Sequence, residues 1–160
     1  RFDLIRIMNN MKVFVGKWVL DGSVSEEPDN GRVLNSAEFV LRETPTGLEQ
    51  TSRFIYTNSK GVTSAPPTDY EYFIPDYGTG KIFYLGVEKN HSGLTFTETG
   101  TIASEKTNSF TVTTTYPDKP NAKRVEYTVT LENGKWHQIA KRSDENGKVI
   151  GTEIINLKRL

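Results

Sequence analysis

The chain has 160 residues, and its 20 basic residues balance its 20 acidic ones, so the formal net charge is zero. A chain of this length predicts one domain, spanning residues 1–160. The balanced charge gives no field that would concentrate nucleic acid or anionic lipid, and the apolar runs are far shorter than the roughly 20 residues of a membrane-spanning helix. We therefore expect a soluble protein that binds no nucleic acid and does not insert into membranes.

Cysteine is absent, which excludes disulfides and thiolate chemistry and is compatible with both the cytoplasm and export. The two histidines, His91 and His137, lie far apart and outside any zinc-binding or calcium-loop motif. We expect no metal and no cofactor. His137 is the residue to consider as a haem-type ligand, but a surface position is the favoured interpretation. Composition leaves the compartment and the oligomeric state open.

The opening segment carries apolar residues at spacings of three and four: Leu4, Ile7, Met8, Met11 and Phe14. With Asp3 as a candidate N-cap and Gly16 as a stop, this pattern predicts one amphipathic helix from Asp3 to Phe14. An isolated helix of this length is marginal in water, so we expect it to pack on the rest of the chain and to act as a gate.

After Gly16 the apolar period changes to two, which is typical of strands with one buried face. Two Asn-Gly pairs, Asn133-Gly134 and Asn146-Gly147, predict tight hairpin turns near the end of the chain. Residues 62–68 contain Pro66-Pro67 and are expected to form a loop. Strands are predicted at 17–25, 37–41, 48–56, 70–74, 81–87, 92–102, 109–116, 125–132, 135–142 and 152–159.

About ten consecutive strands would leave long exposed edges in an open sheet, and closure removes those edges. The sequence therefore predicts an all-β fold, a closed antiparallel up-and-down barrel of about ten strands with one short N-terminal helix. A two-sheet sandwich is the alternative that the same periodicity permits.

Both chain ends resemble a known family. Residues 14–18, Phe-Val-Gly-Lys-Trp, are similar to the Gly-X-Trp signature that opens the first strand of lipocalins and fatty-acid-binding proteins. Residues 152–159 resemble the closing strand, whose arginine packs across that tryptophan. The likeness is greatest to the bacterial single-domain lipocalin-like proteins of unassigned function, with residues 72–76 similar to their central turn. The resemblance implies that Trp18 and Arg159 form a structural pair at one barrel end.

Glu98 is the candidate for chemistry. It shares its strand face with Leu94, Phe96, Gly100 and Ile102, so it would point into an apolar interior if that face is inward. Burial would raise its pKa and suit it to acid or base catalysis. The threonines that alternate with these residues are the other candidate for the inner face.

Aromatic residues on most strands could build a pocket with apolar walls and a few hydroxyl groups. Whether they surround a cavity or fill the core stays open at this point. The leading functional hypothesis is binding of an apolar or amphiphilic small molecule; the alternatives are a cofactor-free cyclase or isomerase using Glu98 or a tyrosine, and a protein-interaction domain with a solid core. The candidate ligand contacts are Tyr56, Tyr70, Tyr72, Tyr84, Phe96, Phe110 and Tyr127.

Overall fold

The computed structural model describes residues 2–22, 26–27, 32–90, 93–116 and 119–160. The chain begins with helix α1 (Phe2–Met11), which continues into a 3-10 turn over Lys12–Phe14. The predicted helix is therefore present, although its last turn is tighter than an α-helix. No helix in the described ranges is long and apolar enough to cross a bilayer.

Strands occupy most of the remaining chain. Two of them, β2 and β5, are only two residues long. Within the described residues, the strands are β1 (Gly16–Leu20), β2 (Glu26–Glu27), β3 (Arg32–Thr44), β4 (Gly47–Thr57), β5 (Thr63–Ser64), β6 (Asp69–Asp76), β7 (Lys81–Asn90), β8 (Gly93–Lys106), β9 (Ser109–Tyr116), β10 (Lys119–Glu132), β11 (Lys135–Ser143) and β12 (Val149–Arg159).

The ten longer strands form a closed antiparallel ring. Going round it, the order is β1, β3, β4, β6, β7, β8, β9, β10, β11 and β12, and β12 pairs with β1. The predicted up-and-down barrel is confirmed, and the sandwich is excluded because β3–β4 pairing leaves no gap in the ring. The short strand β2 pairs with β3, and the short strand β5 pairs with β4. Residues 62–68, predicted as a loop, therefore contain one two-residue strand, and Pro66 and Pro67 lie outside any strand.

The seam between the first and last strands carries the resemblance seen in the sequence. Trp18 lies opposite Arg159 in the register, and the Arg159 guanidinium stacks over the indole at 4.2 Å from its centroid. The same guanidinium donates hydrogen bonds to the carbonyl oxygens of Val15 (2.6 Å) and Val13 (2.7 Å). Gly16 has a φ of 139°, and a Cβ there would lie 2.6 Å from Arg159 Nη1. Glycine is therefore needed beside this contact.

The two Asn-Gly pairs form different turns. Asn133 (φ 53°) and Gly134 (φ 76°) are both left-handed and join paired residues Glu132 and Lys135, which is the predicted two-residue hairpin turn. At the second pair only Gly147 has a positive φ. The expectation of a tight turn there is wrong, because the Asp144 side chain accepts hydrogen bonds from the backbone amides of Asn146 and Lys148 and holds a longer loop.

Candidate functional site

A cavity of about 300 Å³ lies inside the barrel. Its floor is aromatic and consists of Phe39, Phe73, Phe110 and Trp136, each at most 3% exposed. These rings contact one another edge to face, for example Phe39 on Trp136 with centroids 5.5 Å apart. The interior is therefore filled at one end and open above these rings.

Helix α1 and the 3-10 turn close the end below the floor. Phe14 lies with its ring centroid 4.9 Å from that of Phe110 and 5.3 Å from that of Trp136. Residues 4–14 do not line the cavity, whereas Arg32 at the start of β3 and the exposed Pro66 do. The helix therefore plugs the closed end, and the expectation that it gates the cavity is wrong.

The cavity walls above the floor are polar. The Gln50 side chain donates to Ser52 Oγ (3.1 Å), and that hydroxyl donates to the Glu71 carboxylate (3.1 Å). Trp136 Nε1 donates to Gln138 Oε1 (3.1 Å) on the same strand. Gln50, Ser52 and Gln138 are all buried. Their amide and hydroxyl groups therefore lie on the inward faces of their strands, where apolar side chains are usually found.

Four carboxyl groups line this space. Asp69 and Glu71 come from β6, Glu98 from β8 and Glu153 from β12. Burial raises the pKa of Asp69 to about 6, with a further contribution from the charges of Glu88 and Glu98. Burial also raises the pKa of Glu71 well above its usual range, and the nearby Asp69 and Glu98 charges add to the effect.

Glu98 faces the cavity, which is the orientation that the alternation of β8 predicts. Ile102 on the same face is buried, whereas Thr99 and Thr101 are exposed. Burial raises the pKa of Glu98, and hydrogen bonds from Tyr127 and Thr114 partly offset the increase. Tyr127 Oη donates to Glu98 Oε1 at 3.0 Å. The catalytic role of Glu98 stays a prediction.

The structure separates the predicted aromatic contacts into two groups. Tyr70 and Tyr72 do not line the cavity: Asp69, Glu71 and Phe73 occupy the inward face of β6, and alternation turns the two tyrosines away from it. The side chain of Phe96 lies outside the described residues, as does His91. The predicted residues that do line the cavity are Tyr56, Tyr84, Phe110 and Tyr127.

Sequence reasoning missed Asp69, Glu71, Gln50 and Gln138. On β6, Glu71 and Phe73 share one face and the neighbouring tyrosines share the other. Aromatic residues therefore lie on both faces, and the sequence pattern alone does not show which face is inward.

His137 lies between the cavity-lining residues Trp136 and Gln138, so it occupies the other face of β11. Its Nδ1 is 2.7 Å from Asn156 Oδ1. No group of three or more histidine, aspartate or glutamate side chains in the described ranges is arranged to hold a metal ion.

Neither a protein-family model nor a curated protein matches the chain. Among solved structures, the chain is similar to one described as EF1p2_mFAP2b bound to DFHBI. The two are 12% identical, the match covers 96% of this chain and 99% of that one, and the TM-score is 0.43. Similarity at this level carries no information about what this chain binds.

Proposed function

We propose that the barrel binds an amphiphilic small molecule in its interior cavity. The observation that carries the proposal is the cavity itself, about 300 Å³ in volume, with an aromatic floor and polar walls. Such a volume is at the lower end of the range typical of small-molecule sites, and the combination of apolar surface with a few polar groups is their usual composition.

The wall chemistry favours an amphiphile over a wholly apolar ligand. A hydrocarbon filling the cavity would strip water from Gln50, Glu71 and Gln138 without offering them hydrogen bonds, at a cost of about 1–3 kcal/mol for each unsatisfied group. A ligand with an apolar part on the aromatic floor and a polar part at the walls avoids that cost.

We also propose that the chain is a lipocalin-like barrel. The stacking of Arg159 on Trp18, beside a glycine that the contact requires, supports this assignment. A family that encloses ligands inside a closed barrel is compatible with an interior site.

Two adjacent isoleucines of β12 provide a matched test of the site. Ile155 lines the cavity and is 2% exposed, whereas Ile154 is 45% exposed. The probe is N-phenyl-1-naphthylamine, an uncharged amphiphile whose fluorescence rises in apolar surroundings. We expect saturable binding at one site, and we expect Ile155→Trp to weaken it at least about tenfold because the added rings occupy the cavity.

Ile154→Trp makes the same change on the outer face and should leave the dissociation constant within about twofold. A thermal melt of each variant checks folding. Equal binding by the wild type and Ile155→Trp would place the probe elsewhere on the molecule and would contradict the proposal.

A second candidate function is catalysis by Glu98. The hydrogen bond from Tyr127 to a carboxyl whose pKa is raised is the observation that favours it. For a substrate that the barrel cyclises or isomerises, Glu98→Gln should lower the rate by about 10² to 10⁴ and leave substrate affinity nearly unchanged.

A further inference from the structure

We propose that the cavity selects ligands carrying a cationic N–H group, such as an amine or amidine, which the carboxyl groups of Asp69, Glu71 and Glu98 accept while the aromatic floor holds the apolar part. This inference rests on the proposed function and adds the chemical class of the ligand.

The first step is the register of three neighbouring strands. Glu71 on β6 lies opposite Gly86 on β7, and Gly86 lies opposite Glu98 on β8. Neighbouring strands are about 4.8 Å apart, so the two glutamates start from backbone positions about 10 Å apart on one face. Gly86 contributes no side chain between them, which leaves a space with a carboxyl group on each side.

The second step is charge. Asp69 lies two residues before Glu71 on the same face. Burial raises the pKa of both carboxyls, the charge of Glu98 raises both further, and the charge of Asp69 adds to the increase at Glu71. Among the described residues, no ion pair of 4.0 Å or less joins a lysine or arginine to any of the three, although Arg142 lines a small pocket together with Glu98 and Glu153. Elsewhere this barrel does neutralise a buried carboxylate: Glu49, 9% exposed, forms an ion pair with Arg42.

The third step is a buried phenol with nothing to bind. Tyr84 is 7% exposed and lines the cavity, and its hydroxyl has no hydrogen-bond partner among the described residues. Burial is the main cause that raises the pKa of Tyr84 well above the usual range, and Glu71, Tyr127 and Glu98 raise it further. The phenol therefore lies among the carboxyls. Buried polar groups are normally satisfied, which points to a partner supplied by a ligand.

The unsatisfied groups are mainly acceptors. Glu71 receives one hydroxyl hydrogen bond from Ser52, and Gln50 Oε1 has no donor among the described residues. A ligand that brings several N–H donors and a positive charge matches them, because charge-assisted hydrogen bonds are about twice as strong as neutral ones. Arg32, which stacks on Tyr56 at the mouth, is the feature that would instead attract an anion.

The test uses three probes that share one aromatic body: 2-(2-naphthyl)ethylamine, 2-(2-naphthyl)ethanol and 2-naphthylacetate. Their dissociation constants are measured at pH 8 by calorimetry, and by displacement of N-phenyl-1-naphthylamine. We expect the amine to bind at least about tenfold more tightly than the alcohol, and the acetate to bind most weakly.

Glu71→Gln keeps the shape of the side chain and removes the group that can carry the negative charge. It should weaken amine binding at least about tenfold and change alcohol binding by less than about twofold. Glu126→Gln is the matched control, because Glu126 is exposed on β10 and its loss changes the net charge equally. If Glu71→Gln does not fold, Glu98→Gln is the second variant, and it should likewise weaken amine binding. If Glu98 acts only as a catalytic acid or base, Glu98→Gln would leave amine affinity unchanged.

The wild type alone provides an independent readout. Amine affinity should fall between pH 8 and pH 5 as Asp69, with a pKa of about 6, takes up a proton, whereas alcohol affinity should not, and amine binding near pH 6 should release protons. The other titratable or charged groups that line the cavity, share a pocket with Glu98 or act on these carboxyls are Arg32, Tyr56, Tyr84, Glu88, Tyr127, Arg142 and Glu153.

The outcomes separate the inference from the function on which it rests. Equal binding of amine and alcohol would overturn the cation preference and leave the proposed function intact. Tightest binding of the acetate would show that Arg32 sets the preference, and would also overturn it. If none of the naphthyl probes binds and N-phenyl-1-naphthylamine does not bind either, both the proposed function and the inference fail.

Discussion

Trp18 shows how one side chain can connect parts of the chain that are distant in sequence. Its ring is fully buried, its Nε1 donates to the carbonyl oxygen of Phe14 at 2.8 Å, and its outer face is covered by the Arg159 guanidinium. Arg159 in turn binds the backbone just before β1. The indole therefore fixes the 3-10 turn, the first strand and the last strand at one barrel end.

Truncating this side chain should be costly. We expect Trp18→Ala to lower the free energy of unfolding by about 3–5 kcal/mol, because it removes a large buried ring and leaves a cavity. Arg159→Ala should cost less, about 1–3 kcal/mol, since it removes two hydrogen bonds of a charged donor and the stacking contact. Urea unfolding measures both values.

Lys158→Ala is the control for these two variants. Lys158 is the residue before Arg159 on β12, and its side chain is exposed. Its truncation should change the free energy of unfolding by less than about 0.5 kcal/mol. A Trp18→Ala protein as stable as the wild type would remove the structural role assigned to this contact.

At the scale of elements, helix α1 acts as the plug of the closed barrel end. Leu4 (1% exposed) and Met11 (0%) are buried, whereas Ile5 is 47% exposed, so the helix packs one face on the barrel. Phe14 carries this packing to the rings that form the cavity floor. The helix is therefore part of the core rather than an appendage.

Neighbouring helix residues test this arrangement. Leu4→Ala should lower the free energy of unfolding by about 2–4 kcal/mol, because it empties a closed packing site. Ile5→Ala removes a similar side chain from the exposed face and should have an effect below about 0.5 kcal/mol. Hydrogen exchange of the backbone amides of residues 6–11 should be slow, because these are the helix amides with a carbonyl four residues earlier. Exchange as fast as that of an unfolded chain would contradict the packing.

The strands show what alternation can and cannot predict. On β4, Leu48, Gln50 and Ser52 share the inward face, as the period-two pattern predicts. On β6 the pattern is ambiguous, because tyrosines on one face and Glu71 with Phe73 on the other both fit a half-buried strand. The inward face of β6 is decided by Phe73, whose ring packs on Tyr84 and Phe110 from other strands, and no local pattern contains those contacts.

At the scale of the whole molecule, closure was predictable and the site chemistry was not. Consecutive strands with short turns lead to a meander, and the Gly16-Lys17-Trp18 and Arg159 signatures indicate which strands meet. The carboxyl cluster depends on the register of β6, β7 and β8, which aligns Glu71, Gly86 and Glu98. Register is a property of the assembled sheet, so the shared space between these carboxyls could not be derived from separate strands.

The same cluster should determine how the stability of the molecule varies with pH. Asp69 has a pKa of about 6 in the folded state, against an ordinary value of 3.8. Between those values the folded chain holds a proton that the unfolded chain has released, so the free energy of unfolding falls as pH rises from about 4 to about 6. Glu71 and Glu98, whose pKa values are also raised, act in the same direction.

Asp76, at the other end of β6, changes the free energy of unfolding with pH in the opposite direction. Hydrogen bonds from the Thr79 hydroxyl and the Gly78 amide lower its pKa, so its contribution to stability is present near neutral pH and is lost as pH falls below about 4. The aspartate at the start of β6 therefore makes the folded protein more stable at acidic pH, and the aspartate at its end makes it more stable at neutral pH.

The pair Asp69→Asn and Asp76→Asn tests this account by urea unfolding at pH 4.5 and pH 8. A pKa difference of about two corresponds to about 3 kcal/mol as an upper value, so Asp69→Asn should be more stable than the wild type at pH 8 by about 1–3 kcal/mol, with a much smaller difference at pH 4.5. Asp76→Asn should instead be less stable than the wild type at pH 8, because its amide replaces a charged acceptor. If Asp69→Asn shows the same fall in stability between the two pH values as the wild type, the pKa of Asp69 is not raised in the folded barrel. The ionised Asp69 would then not lower the free energy of unfolding. If Asp69→Asn instead raises the free energy of unfolding at pH 8, the cavity holds a carboxylate at the expense of stability, as expected of a site that binds a cationic ligand.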